Sequence, residues 1–127
     1  MKPSLLIADG DEYLSDIYTR YFSLHGYKVQ TATGGVECAT NLRRSAPDVL
    51  VLDMDLPWGG GAGVLAMMRE DGIVPSTLTV LLASEAADDS PPSTIGLPDV
   101  RCLRKPFDLR ELLVCIREAT LSRCFAS

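Results

Sequence analysis

The chain has 127 residues, with 17 Asp and Glu against 12 Lys and Arg, for a net charge of −5. A single domain spanning 1–127 at this length buries about two-thirds of its unfolded surface, so it needs neither disulfides nor a structural metal to fold. Its 46% hydrophobic and 23% charged content excludes a disordered chain, and the acidic balance excludes binding of a nucleic-acid backbone by this domain.

In chain order, the apolar run of residues 4–8 stops at Asp9-Gly10-Asp11 and predicts a buried strand ending in a loop. That run is too short for a secretory segment, and no stretch approaches the length of a membrane span. The expected location is cytoplasmic, with no membrane partner. The four cysteines (Cys38, Cys102, Cys115, Cys124) form no C-x-x-C pair and have a single His for company. They read as reduced thiols acting as small apolar residues. Leu14, Ile17, Tyr18, Tyr21 and Phe22 then fall on one helical face, and His25-Gly26 supplies its stop.

Residues 27–31 predict a second strand and 34–46 a second helix, with Pro47 marking its end. Residues 48–53 are the clearest strand: four consecutive apolar residues closed by Asp53. A Gly-rich loop over 54–61, holding Pro57-Trp58, leads into a helix through Val64, Leu65, Met67 and Met68 that ends near Gly72. Residues 78–83 predict strand four. The stretch 84–98 has little helical period, so any fourth helix there is short or irregular. A weak fifth strand follows at 100–103. Asp108-Leu109-Arg110-Glu111 then has the form of a capping box, opening a helix with Leu109, Leu112, Leu113 and Ile116 on one face.

Strands alternating with helices predict an α/β fold, a doubly wound five-stranded parallel sheet with helices on both faces. In such sheets chemistry collects at the carboxyl ends of the strands. There this chain has Asp9, Gly10 and Asp11, then Asp53 to Asp55, Ala83-Ser84 and Lys105-Pro106. Each has a plainer reading: Asp9 and Asp11 as helix caps, Asp53 as an ordinary strand end, Lys105 as a solvated lysine. Their convergence at one edge favours a site. Crowded carboxylates with one lysine aimed at them suit Mg²⁺, and a carboxylate so placed can attack phosphorus to form an aspartyl phosphate.

From residue 5 to about 120 the chain resembles the receiver domain of bacterial two-component response regulators, of the CheY-like type. The marks are Leu6-Ile7-Ala8-Asp9, residues 47–57 (Pro-Asp-Val-Leu-Val-Leu-Asp-Met-Asp-Leu-Pro) and Lys105-Pro106-Phe107. The resemblance implies Asp53 as phosphoacceptor and Lys105 as the group contacting the phosphoryl oxygens. It also implies a cis Lys105–Pro106 bond, and Mg²⁺ held by Asp9, Asp53 and the backbone carbonyl of Asp55. The implied partner upstream is a histidine kinase or phosphotransfer protein, and the output passes by protein–protein contact to a protein the sequence does not name. The chain is thus read as a signalling module and not as an enzyme.

Three positions depart from the family pattern. Gly10 replaces the usual second acid, Ala83 stands at the usual Thr/Ser position with Ser84 one step late, and Cys102 replaces the usual aromatic. They leave an alternative open, a pseudo-receiver that acts as an interaction module without phosphorylation. Two other readings are set aside. Gly61-Ala62-Gly63-Val64-Leu65-Ala66 matches a dinucleotide pattern but starts well past its strand and has no acid about twenty residues on. A flavin phosphate would be repelled by the Asp9-Gly10-Asp11-Glu12 loop. Trp58 reads as a loop packing residue or part of a partner surface.

Overall fold

The apolar runs become strands and the periodic segments become helices. The structure, a computed structural model, describes residues 2–57, 59–72, 78–85 and 99–126, the side chains of 122–126 apart. Trp58, the segment 88–98 and the side chain of Cys124 lie outside the described residues. The element order is β1 (Ser4–Ala8), α1 (Glu12–Leu24), β2 (Lys28–Ala32), α2 (Gly35–Arg44), β3 (Val49–Asp53), α3 (Gly60–Asp71), β4 (Thr79–Ser84), β5 (Val100–Arg104) and α4 (Leu109–Ala126).

All strand pairs are parallel, in the order β2-β1-β3-β4-β5. The order reverses between β1 and β3, so a crevice opens at their carboxyl ends, where this class of sheet binds ligands. The run of residues 49–53 sits at the centre and is buried throughout, as its unbroken apolar character requires for a strand covered on both faces.

The pleat sorts the core into two layers. Leu6, Leu50, Leu52, Val80 and Leu82 pack with Cys38 and Leu42 of α2 and with Val64, Leu65 and Met68 of α3. Leu5, Ile7, Val49, Val51 and Leu81 pack with Tyr18 and Phe22 of α1 and with Leu112, Leu113 and Ile116 of α4. Alternate residues of one strand thus face opposite helical layers.

Local chemistry sets the helix ends. Asp11 caps α1, its Oδ1 accepting the N–H groups of Tyr13 at 2.9 Å and Leu14 at 3.3 Å. The Glu111 N–H donates to Asp108 Oδ1 at 2.8 Å, as the capping-box reading of α4 requires. Gly72 ends α3 with φ of 64°, the left-handed conformation that glycine adopts without a steric cost. The α1 face differs from expectation. Ser15, Tyr18 and Phe22 are buried there, whereas Ile17 is 45% exposed. The helix presents only a narrow stripe to the sheet, and the period alone does not say where that stripe is centred.

Candidate functional site

Asp9 follows β1, Asp53 ends β3, and Lys105 follows β5, so the parallel sheet brings three separate strand ends to one edge. Their side chains also share a pleat phase, because Ile7, Val51 and Leu103 two residues before each belong to the layer facing α1 and α4. The Lys105 ammonium reaches Asp53, with Nζ 2.9 Å from Oδ1. The backbone N–H of Asp55 donates to the same Oδ1 at 2.9 Å. Asp53 is only 7% exposed. One charged donor and one backbone donor hold its Oδ1 at the carboxyl edge of the sheet.

Asp9 is half-buried and accepts the Asp11 N–H at 2.9 Å. Burial pushes its carboxyl above the ordinary value; the Asp11 N–H pulls the other way, and the Asp53 charge adds to the rise. For Lys105, burial works against the ammonium, but the hydrogen bond and charge of Asp53, with Asp9 and Asp55 behind it, outweigh that, and the net shift is upward. The Asp55 side chain is exposed, and Asp11 is committed to capping α1. Among the described residues no group of three or more His, Cys, Asp or Glu is arranged to hold a metal ion. The carboxylates that meet at the crevice are therefore the pair Asp9 and Asp53, fewer than the crowd the sequence suggested.

The substituted positions are now visible. A Cβ on Gly10 would lie 2.9 Å from Pro57 Cδ and 3.4 Å from Cγ, so a proline ring already packs against this point. Ala83 pairs with Asp53 across β3 and β4 and is 2% exposed, placing a buried methyl beside the carboxylate where the resemblance implies a hydroxyl. Ser84 takes the opposite pleat, on the side of Leu82 and Val80, and so faces away from the layer that holds Asp53. Cys102 is an exposed free thiol on β5. The Lys105–Pro106 peptide is cis.

The glycine pattern after β3 has a packing cause. A Cβ on Gly61 would meet Met54 Cα at 2.8 Å, Met54 Sδ at 2.7 Å and the Asp53 carbonyl oxygen at 3.1 Å. The first turn of α3 therefore lies directly on the backbone after the acceptor strand, and only glycine permits that approach.

Tyr18 was absent from the site expected from sequence. It is 4% exposed on the inner face of α1 and lines the same cleft as Asp9 and Lys105. Burial raises the phenol to about 12, with the charges of Asp9, Asp53 and Asp11 adding to the rise. The hydroxyl therefore stays protonated at neutral pH. The signal in the sequence was a hydroxyl-bearing ring at an otherwise apolar helix position.

Residues 5–117 match the response regulator receiver domain. Response regulator SaeR of Staphylococcus aureus is 32% identical over 112 residues, which cover 88% of this chain and 48% of SaeR. The chain thus spans about half the length of the curated relatives it matches. The receiver domain of the Francisella response regulator 1452 superposes with a TM-score of 0.74 at 27% identity, over 93% of this chain and 96% of that one. The signal receiver domain of an HD domain-containing protein from Pseudomonas fluorescens Pf-5 gives 0.78 at 25% identity, over all of both chains. A CheY-like receiver domain protein from Methanospirillum hungatei JF-1 gives 0.84 at 21% identity over all of both chains, a likeness of fold.

Proposed function

The chain belongs to the response regulator receiver family of two-component signalling, and on that premise we propose that Asp53 accepts a phosphoryl group. Receiver domains are signalling modules that interact with histidine kinases or phosphotransfer proteins and generally bind Mg²⁺ at the phosphorylation site. The observation that carries the proposal is the Lys105 Nζ to Asp53 Oδ1 contact at 2.9 Å, made at the carboxyl edge of the sheet.

In the proposed step an Asp53 carboxylate oxygen attacks phosphorus and forms an acyl phosphate. The bond from phosphorus to the donor's nitrogen or oxygen breaks, and the departing atom keeps the electron pair. Lys105 neutralises charge on the phosphoryl oxygens, and the Asp55 N–H fixes the attacking carboxylate. The donors that fit Mg²⁺ are all oxygens: the Asp9 and Asp53 carboxylates and the Asp55 carbonyl. One or two carboxylates with phosphate and water oxygens suffice for this ion. Once bound it would supply charge neutralisation for the transferring phosphoryl group. Gly10 contributes no carboxylate, so Asp9 is the one acid of the β1–α1 loop left to this task.

One observation favours a second reading. Ala83 places a buried methyl beside Asp53 where a hydroxyl would sense the phosphoryl group, which suits a module that signals by contact without phosphorylation. Incubation with acetyl phosphate and Mg²⁺, followed by intact-mass measurement, separates the two. A single phosphoryl adduct, absent in Asp53→Asn, supports the acceptor. An unmodified wild type, or an adduct that persists in Asp53→Asn, sinks it.

A further inference from the structure

We propose that the outer face of α1 is a self-association surface, on which a second copy of this chain lays its own α1 antiparallel across a two-fold axis. The inference goes beyond the acceptor reading and does not depend on it. Among the described residues the two most exposed large apolar side chains stand at opposite ends of this helix, Tyr13 at 85% and Leu24 at 86%, with Ile17 between them. At about 100° per residue, Tyr13, Ile17, Arg20 and Leu24 fall within about 60° of one another. Their spacing of four, three and four residues is that of a helix–helix seam. Ser15, Tyr18 and Phe22, which face the sheet, lie on the other side of the helix.

The occupant follows from how this stripe matches itself. In an antiparallel pair centred between Tyr18 and Thr19, Tyr13 meets the second copy's Leu24, and Leu24 meets its Tyr13. Ile17 then lies opposite the apolar stem of the second copy's Arg20. The charges match as well. Asp16 and Arg20 are one turn apart on the same flank of the stripe, both exposed, and neither has an ion-pair partner among the described residues. The two-fold axis keeps like flanks together, so Asp16 comes beside the second copy's Arg20 and Arg20 beside its Asp16. A parallel pair would instead set the two Arg20 side chains at the same level, where they repel. A single pair of helices about 20 Å long buries less than the roughly 1,200 Å² of a stable complex. The association is therefore transient, with a Kd of about 0.1–1 mM.

Sedimentation equilibrium of the full chain from about 20 μM to about 1 mM tests this. The weight-average mass should rise above that of one chain and fit a monomer–dimer equilibrium. Arg20→Asp sets acid against acid on both sides of the axis and should weaken association about tenfold or more. Tyr13→Ser with Leu24→Ser should weaken it to a similar extent. Asp16→Arg combined with Arg20→Asp exchanges the partners and should restore wild-type association. Val36→Ser, which removes an exposed apolar side chain from α2, is the control and should leave association unchanged. All these positions are exposed, so each variant keeps the fold, as far-ultraviolet circular dichroism would check. The mass of one chain up to about 1 mM would overturn the inference and leave the stripe to a different protein. Association that persists in Arg20→Asp, that the double exchange fails to restore, or that Val36→Ser removes would overturn it equally.

Discussion

Replacing Lys105 with Met removes the ammonium 2.9 Å from Asp53 Oδ1 and leaves a carboxylate that is 7% exposed without its charged partner. At that separation two unit charges attract by about 6 kcal/mol at an effective dielectric of about 20, and by about 1.4 kcal/mol in bulk water. The side chains are 21% and 10% exposed, for Lys105 and Asp53 respectively, so the pair lies between those limits. Desolvation offsets part of the attraction, and the net coupling is expected at about 1–3 kcal/mol.

A double-mutant cycle of wild type, Lys105→Met, Asp53→Asn and the double variant measures it, by urea unfolding in EDTA followed by far-ultraviolet circular dichroism. Lys105→Met should cost more than Asp53→Asn. The first strands a buried anion near Asp9, whereas the second frees a long side chain whose charged end swings into water. At neutral pH the pair is fully formed. Because the folded lysine lies above its ordinary value, its contribution is complete below the unfolded value and is lost only as pH rises through the folded one. A coupling under about 0.5 kcal/mol, the range of an exposed pair, or the reverse order of the single variants would refute the reasoning.

Asp9→Asn should raise the unfolding temperature at neutral pH in the absence of metal. The folded carboxyl holds its proton more tightly than the unfolded one, so its ionised form destabilises the fold above the ordinary value of 3.8. Water screens this half-exposed group, so the gain is a few degrees at most, and it should vanish below pH 3.8, where both states are protonated; a loss at pH 7 would contradict it. Gly61→Ala sets about 1 kcal/mol of improved helix propensity against about 1–3 kcal/mol of overpacking. The atoms met are Met54 and Asp53 backbone as well as the Met54 sulfur, so a net loss of up to about 2 kcal/mol is expected. Gly63→Ala, with nothing within 4 Å of its Cβ, should instead stabilise by up to about 1 kcal/mol. Equal effects at the two glycines in denaturant unfolding would count against the close approach.

Neighbouring residues alone specify the elements and most of the charged edge. The run of residues 48–53, apolar and closed by an acid, required a central buried strand, and β3 is that strand. Asp108 with Glu111 announced the start of α4, because a cap acts within one turn and is written in adjacent residues. Asp9, Asp53 and Lys105 could be placed at strand ends for the same local reason.

Tertiary structure decided what those residues touch. The Lys105–Asp53 contact depends on the sheet order β2-β1-β3-β4-β5, which is set by hydrogen bonds between distant segments. The register with β3 puts Ala83 beside Asp53 and turns Ser84 to the other face, a distinction of one residue that composition does not carry. Burial of Ser15 and exposure of Ile17 show which stripe of α1 meets the sheet, and that is decided by packing and not by the apolar period. Gly10 looked like a missing acid and is also the point on which Pro57 rests. Tyr18 looked like core, and it also lines the cleft shared by Asp9 and Lys105. Periodicity and capping are properties of neighbouring residues, whereas pleat phase, helix docking and side-chain reach exist only once distant segments have packed.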